Sequence, residues 1–196
     1  MSHPPLILAS QSTTRKALLE KLGIPFTVQP AHVDETPLKH EAPLAYVKRI
    51  ALAKAQAVST QNPGSVVLAA DTPVIVGRRI LQKPESYEEA LTMLKLHSGR
   101  RISIPTVVVV VDATGKSHHK VSVSWVKFKR FSQAEIEVFL AATKWREFSG
   151  SIHIELMEPW LQTTHGSISG IMGLPLYETT RLLARAGLTP KPFKIA

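Results

Sequence analysis

Asp71 closes the apolar run 65–70 and is followed by Thr72 and Pro73. A carboxylate at the exit of a buried strand is where open α/β sheets place ligand and metal contacts; it is equally an ordinary turn residue before a proline. A second cluster lies near the amino terminus. There the apolar run 6–9 gives way to Ser10, Ser12, Thr13, Thr14 and Arg15. Ser12 or Thr13 can cap the helix that Leu18, Leu19 and Leu22 define. The free N–H groups and positive dipole of such a helix start attract an anion, and Arg15 adds a fork of donors. The plain alternative is a helix cap with no ligand. Lys54 and Lys83 are compact cations that suit a polyphosphate, against the commoner reading of a lysine as a solvated surface residue.

Several other patterns imitate chemistry and fail on context. Gly115-Lys116-Ser117 resembles the end of a P-loop, but Val110 stands where the first glycine belongs and the segment reads as a hairpin turn. Ser117-x-x-Lys120 begins a strand rather than a helix, which excludes acyl-enzyme chemistry of that type. His153-Ile154-Glu155 echoes a deaminase, but a chain without cysteine lacks its zinc ligands. His118 and His119 are adjacent in a strand and point to opposite faces, a poor metal pair.

The elements that must carry these residues follow from periodicity. Strands are expected at 6–9, 26–29, 65–70, 102–111 and 121–131, with a hairpin over 74–81 turning at Gly77-Arg78. Residues 31–37 read as a loop carrying two acids. Pro43 opens a long helix through Lys54 to Val58, broken by Asn62-Pro63-Gly64. Capping boxes at Ser86–Glu89 and Ser132–Glu135 open two more helices, the first running to about His97 with Gly99 closing it. The stretch through Gly150, Gly166 and Gly170 reads as loops. A last helix starts at Pro175 and ends at Gly187, and the tail 189–196 reads as a surface strap. Mixed strands and helices with antiparallel hairpins argue for an α/β fold with a mixed sheet.

The 196 residues suffice for one large domain or two small lobes. No apolar run approaches the ~18 residues of a membrane span, and the first residues lack the charged and apolar regions of a secretion signal. With no cysteine, the expectation is a cytoplasmic protein with no membrane partner. The net charge of +9 implies an anionic partner. The basic residues are scattered and aromatics few, so no nucleic acid is expected; a nucleoside triphosphate satisfies the charge as well.

In order along the chain come LILASQSTTRKALLEKLGIPF, VDE at 33–35, ALAKA around Lys54, AADT at 69–72, QKP at 82–84, the SG with a downstream Thr at 98–106, and MGLPL at 172–176. This series resembles the Maf family of nucleotide pyrophosphatases over nearly the whole chain. The resemblance implies a single domain, 1–196, with two lobes about a central cleft, on an elongated twisted mixed sheet flanked by helices, similar to Maf and inosine triphosphate pyrophosphatase folds. It implies hydrolysis of a nucleoside triphosphate to monophosphate and pyrophosphate with Mg²⁺ or Mn²⁺. By the match, Asp71 is the proton acceptor or a metal-linked base, and Glu35 helps to bind metal or water. Ser10, Ser12, Arg15, Lys54 and Lys83 hold the phosphates, and Lys83 counts with Asp71 and Glu35 among the catalytic residues. Enzymes of this size that act on nucleotides are often homodimers.

The chain departs from the family pattern at informative places. Thr13 and Thr14 replace a Pro and an Arg of the usual first motif. Gln82 replaces a common Gly, Ile102 a common His and Gly170 a common Asn. Thr72 resembles the branch acting on dTTP and UTP, whereas Glu155 resembles the branch acting on 7-methyl-GTP, the other having Gln there. Thr14 matches neither branch. The substrate expectation is therefore a non-standard, methylated or pyrimidine nucleotide. The alternative is a catalytically weakened nucleotide-binding protein of cell-division control.

Overall fold

A computed structural model describes residues 3–190; most of the expected strap at 189–196 lies outside them. Among the described residues eight strands form one mixed sheet. They are β1 (Leu6–Leu8), β2 (Phe26–Val28), β3 (Val66–Asp71), β4 (Val74–Val76), β5 (Arg79–Leu81), β6 (Arg101–Val111), β7 (Ser117–Phe128) and β8 (Leu161–His165). The helices are α1 (Thr13–Glu20), α2 (Pro43–Gln61), α3 (Tyr87–His97), α4 (Gln133–Ala142), α5 (Ile168–Ile171) and α6 (Leu176–Arg185). No helix among them is long and apolar enough to cross a membrane.

β1 lies between β2 and β3 in parallel, as its continuous burial requires. β3 then pairs antiparallel with the carboxyl half of β6, from Val67↔Val111 to Asp71↔Val107. Strand alternation sends Val66, Leu68 and Ala70 into a core with α1 and α6, and Val67 and Ala69 into a core under α2. Asp71, two residues beyond Ala69, shares the α2 face.

α2 buries Val47, Ile50, Lys54 and Val58 in one stripe of three- and four-residue steps. Lys54 is thus a cation on a core stripe and requires a partner. A third core joins β4, α3, the amino half of β6, the end of β7 and α4. β6 links these bodies because its outer edge pairs first with β4, at Ile75↔Ser103, and then with β3 from Asp71↔Val107. Between those pairings the edge is unmatched, and Pro105, which has no N–H to offer a ladder, sits in the gap. The central cleft opens there.

The structure revises several sequence expectations. The strand expected at 121–131 runs from Ser117 to Phe128 instead. Ser86 does cap α3, accepting from the Glu89 N–H at 3.1 Å. However, the Glu89 carboxylate takes the Glu85 N–H rather than that of Ser86, so the reciprocal box is complete only at Ser132–Glu135. The stretch read as loops contains β8 and α5. β8 escapes notice because LQTTH is largely exposed and lacks apolar alternation.

Candidate active site

Thr72, Pro73 and Val74, between the β3 and β4 pairings, and Ile104 of β6 help to line a cavity of about 760 Å³. All ten residues singled out by sequence line it: Ser10, Ser12, Thr14, Arg15, Glu35, Lys54, Asp71, Thr72, Lys83 and Glu155. They come from α1, α2, β3 and five connecting segments, which no local pattern unites.

Lys54 supplies the centre. Its Nζ lies 2.8 Å from Asp71 Oδ1 and 3.0 Å from Glu35 Oε1. Lys54 and Asp71 are buried while the Glu35 side chain is half exposed. One ammonium therefore holds two carboxylates together and satisfies the buried charge on α2. Glu35 rests on a loop fixed from both sides. The Tyr46 hydroxyl donates to the Glu35 carbonyl at 3.0 Å, and Gln82 Nε2 donates to the same carbonyl at 3.1 Å. Gln82 also reaches the Tyr46 oxygen, at 3.2 Å. Burial pushes the Tyr46 phenol up to about 12, against the opposing pull of the Gln82 hydrogen bond, so it stays a donor. Further along, Arg49 grips Glu41 through two nitrogens and donates to the Thr36 carbonyl. The departure at Gln82 thus has a structural use that the sequence pattern did not show.

Arg15 forms the adjoining wall. Ser12 caps α1 by accepting the Arg15 N–H at 3.2 Å. The Arg15 side chain then donates from Nε to the Gly173 carbonyl at 2.8 Å, from Nη1 to Ser10 Oγ at 3.2 Å and from Nη2 to Thr72 Oγ1 at 3.3 Å. Thr72 continues to Thr106 Oγ1 at 3.0 Å, and Thr106 donates to the Gly170 carbonyl at 2.7 Å. The chain of donors ties α1, β3, β6 and α5 around the cavity. Burial lowers the Arg15 pKa, opposed by Asp71 and Glu35, but a guanidinium remains a cation. Gly173 makes the approach possible: at φ 111°, a Cβ there would come within 3.2 Å of Arg15 Nε. Sequence reading missed Tyr46, and it gave Thr106 only as the downstream Thr of the motif at 98–106, with no role assigned.

Lys83 follows β5 at the rim, exposed, with no hydrogen bond or ion pair among the described residues. The opposite wall is residues 147–155, where Phe148, Ile152 and Ile154 give an apolar surface beside His153 and Glu155. Gly150 fixes that wall. Its N–H donates to the Gln82 carbonyl at 2.8 Å, and its carbonyl lies 2.8 Å from His97 Nε2.

Among the described residues no three His, Asp or Glu side chains gather into a metal cage. Asp71 and Glu35 each engage Lys54 through one oxygen, leaving the other without a protein hydrogen bond among the described residues. Two carboxylates of this kind suit Mg²⁺ or Mn²⁺, which take a few protein oxygens and complete their shell with phosphate and water.

The family described as Maf-like protein matches residues 5–186. A dTTP/UTP pyrophosphatase from Zymomonas mobilis is 46% identical over 184 residues, covering 93% of this chain and 91% of that one. A dTTP/UTP pyrophosphatase from Caulobacter vibrioides is 42% identical over 189 residues, covering 95% of this chain and 98% of its own. A solved nucleoside-triphosphatase / dITP/XTP pyrophosphatase from Mycobacterium abscessus overlaps 65% of this chain and 75% of its own, at 15% identity and a TM-score of 0.42.

Proposed function

The chain belongs to the Maf-like protein family, and from that premise we propose that it is a pyrophosphatase of pyrimidine nucleoside triphosphates, with dTTP and UTP as substrates. The names of its relatives support that class. The observation that carries the reading is the buried Lys54–Asp71 pair with Glu35 joined to it, beside a capped helix start and Arg15. The names of the relatives favour this reading over the sequence-level alternative of a weakened binding protein.

In the proposed reaction, water attacks the α-phosphorus and the bond from that phosphorus to the α–β bridging oxygen breaks. Pyrophosphate leaves with the bridging oxygen, and Asp71 accepts the proton lost by the attacking water. Lys54 holds the Asp71 and Glu35 carboxylates in register, so the acceptor is placed before substrate arrives. Ser10, Ser12, the α1 N–H groups, Arg15 and Lys83 face the phosphates with donors and positive charge. A divalent cation, Mg²⁺ or Mn²⁺, bound through Asp71 and Glu35 would neutralise phosphate charge and acidify water. The apolar wall 147–155 and Thr14 receive the base.

The test is pyrophosphate release from each standard ribo- and deoxynucleoside triphosphate and 7-methyl-GTP, with Mg²⁺ or Mn²⁺ and with Asp71→Asn beside the parent protein. Release from dTTP and UTP that vanishes in the variant is the expected result. Full turnover by Asp71→Asn would remove Asp71 from its role, and preference for 7-methyl-GTP would make Glu155 rather than Thr72 the guide to the base.

A further inference from the structure

His97 is the last residue of α3, fully buried in the core on the β4 side of the cavity, and it touches no substrate-facing surface. Its Nε2 lies 2.8 Å from the Gly150 carbonyl. A carbonyl can only accept, so Nε2 carries the proton and Nδ1 is a bare acceptor. That Nδ1 is buried with no partner. A leucine would fill such a core position without leaving a polar atom unpaired. What histidine adds is one N–H, aimed at Gly150.

Gly150 is the anchor of the apolar wall. It sits at φ 60°, and a Cβ there would come within 2.9 Å of Val74 Cβ. Ser151 follows at φ 58°, a strained value for a residue with a side chain. Two successive left-handed residues persist only where the surroundings hold them. The Gly150 N–H is held by the Gln82 carbonyl, next to Lys83, and the Gly150 carbonyl by His97. The turn therefore fixes where Ile152, Ile154 and Glu155 stand relative to Lys83.

We propose that His97 is a positioning residue for base selection: its Nε2–H holds the Gly150 carbonyl and so sets the spacing between the 147–155 wall and the phosphate-facing groups. The proposal rests on the reading of that wall as the base site. It gives the molecule a specificity determinant that lies behind the wall rather than on it.

Two amides test it. Glutamine at 97 reaches about as far as Nε2 and can donate to Gly150, its oxygen inheriting the unpartnered acceptor position. Asparagine is one methylene too short. Steady-state kinetics on dTTP, UTP, dATP and GTP should show His97→Gln close to the parent. His97→Asn should raise KM for dTTP by about tenfold, the equivalent of one buried hydrogen bond, and narrow pyrimidine-over-purine selectivity by a similar factor. The loss should fall on KM more than on kcat. Should His97→Asn lose its cooperative melt, His97→Leu, similar in volume and without the N–H, takes its place. A folded variant without the N–H and with unchanged selectivity overturns the proposal, as does equal impairment of Gln and Asn, which would indicate packing alone. If the parent releases pyrophosphate from no triphosphate, the functional reading falls separately. Calorimetric binding of dTMP against dAMP then decides the role of His97, with the same loss of preference expected in His97→Asn.

Discussion

At the α1–β3 end of the cavity the polar groups stand on regular elements and are cross-tied; at the 147–155 end the wall is irregular chain pinned through one glycine. Lys54 is on a helix, Asp71 ends a strand, and Arg15 is in the first turn of α1, with three separate acceptors for its side chain. The far wall is a succession of short turns in which Gly150 and Ser151 both take positive φ. On the proposed reading, Arg15 and the Lys54-held carboxylates would meet phosphate and metal, and they are held rigidly, as electrostatic stabilisation requires. The surface proposed to meet the base can be re-aimed by small changes behind it. Chemistry and specificity are thereby separated, and the separation can be attacked from either end.

The largest expected effect is at the rigid end. Asp71→Asn should lower kcat by about 10²–10⁴, the range of a lost general base. Lys54 keeps Glu35 as partner in that variant, so the fold should survive; melting monitored beside turnover separates the two effects. Lys54→Met instead leaves Asp71 buried beside Glu35 with no cation. Removing one partner from a buried pair costs about 3–5 kcal/mol, so this variant should unfold at much lower denaturant as well as losing activity. A Lys54→Met protein as stable as the parent would show that the ammonium is not what holds this end together.

An intermediate effect belongs to His97 and depends on pH. Burial depresses its pKa from 6.5 to about 4, with the Gly150 hydrogen bond acting in the opposite sense. The folded protein then binds fewer protons than the unfolded chain between those values. Stability due to neutral His97 is complete above pH 6.5 and is lost as pH falls towards 4, on the order of 3 kcal/mol in all. Glu41 and Glu135, held near 2 by their hydrogen bonds to Arg49 and Lys129, lose their contributions only below 4.5. Denaturant melts from pH 7 to pH 4.5 should show a slope in the parent and a clearly shallower one in His97→Gln, the remainder including His119, whose pKa burial also lowers. A parallel decline in both would place the acid sensitivity elsewhere.

The same contrast explains what the sequence revealed. β1, α1 and β3 were legible because an apolar run, a hydroxyl cap and a strand-terminal acid are local signals. Lys54 was legible as a cation, and its place in the stripe with Val47, Ile50 and Val58 was the sign that it is buried. The wall was not legible. Gly150 looked like one loop glycine among several, and His97 like the end of a helix, because their meeting spans fifty-three residues of sequence. Gln82 read only as a departure from a family pattern, since its partners, Tyr46 and the Glu35 carbonyl, converge in space alone. Ile102, another departure, is fully buried in the core beside Val126 and Phe128. Gly170 is buried too, and a Cβ there would meet Ser167 at 3.1 Å.

The smallest effect should come from Glu155, which is exposed at the irregular end of the cavity. Uracil and thymine present one N–H between two carbonyl oxygens. A carboxylate can accept from that N–H but repels both neighbours, whereas an amide can accept and donate at once. Glu155→Gln should therefore raise kcat/KM for dTTP and UTP by roughly two- to tenfold, the value of one added hydrogen bond of about 0.5–1.5 kcal/mol. The change should leave kcat almost untouched, because the groups that hold the phosphates are not involved. A fall in kcat on Glu155→Gln would mean that the two ends of the cavity are coupled more tightly than the single Gly150 anchor suggests. A gain confined to KM for pyrimidines would locate base reading on this wall and leave the Glu35–Lys54–Asp71 assembly indifferent to the base.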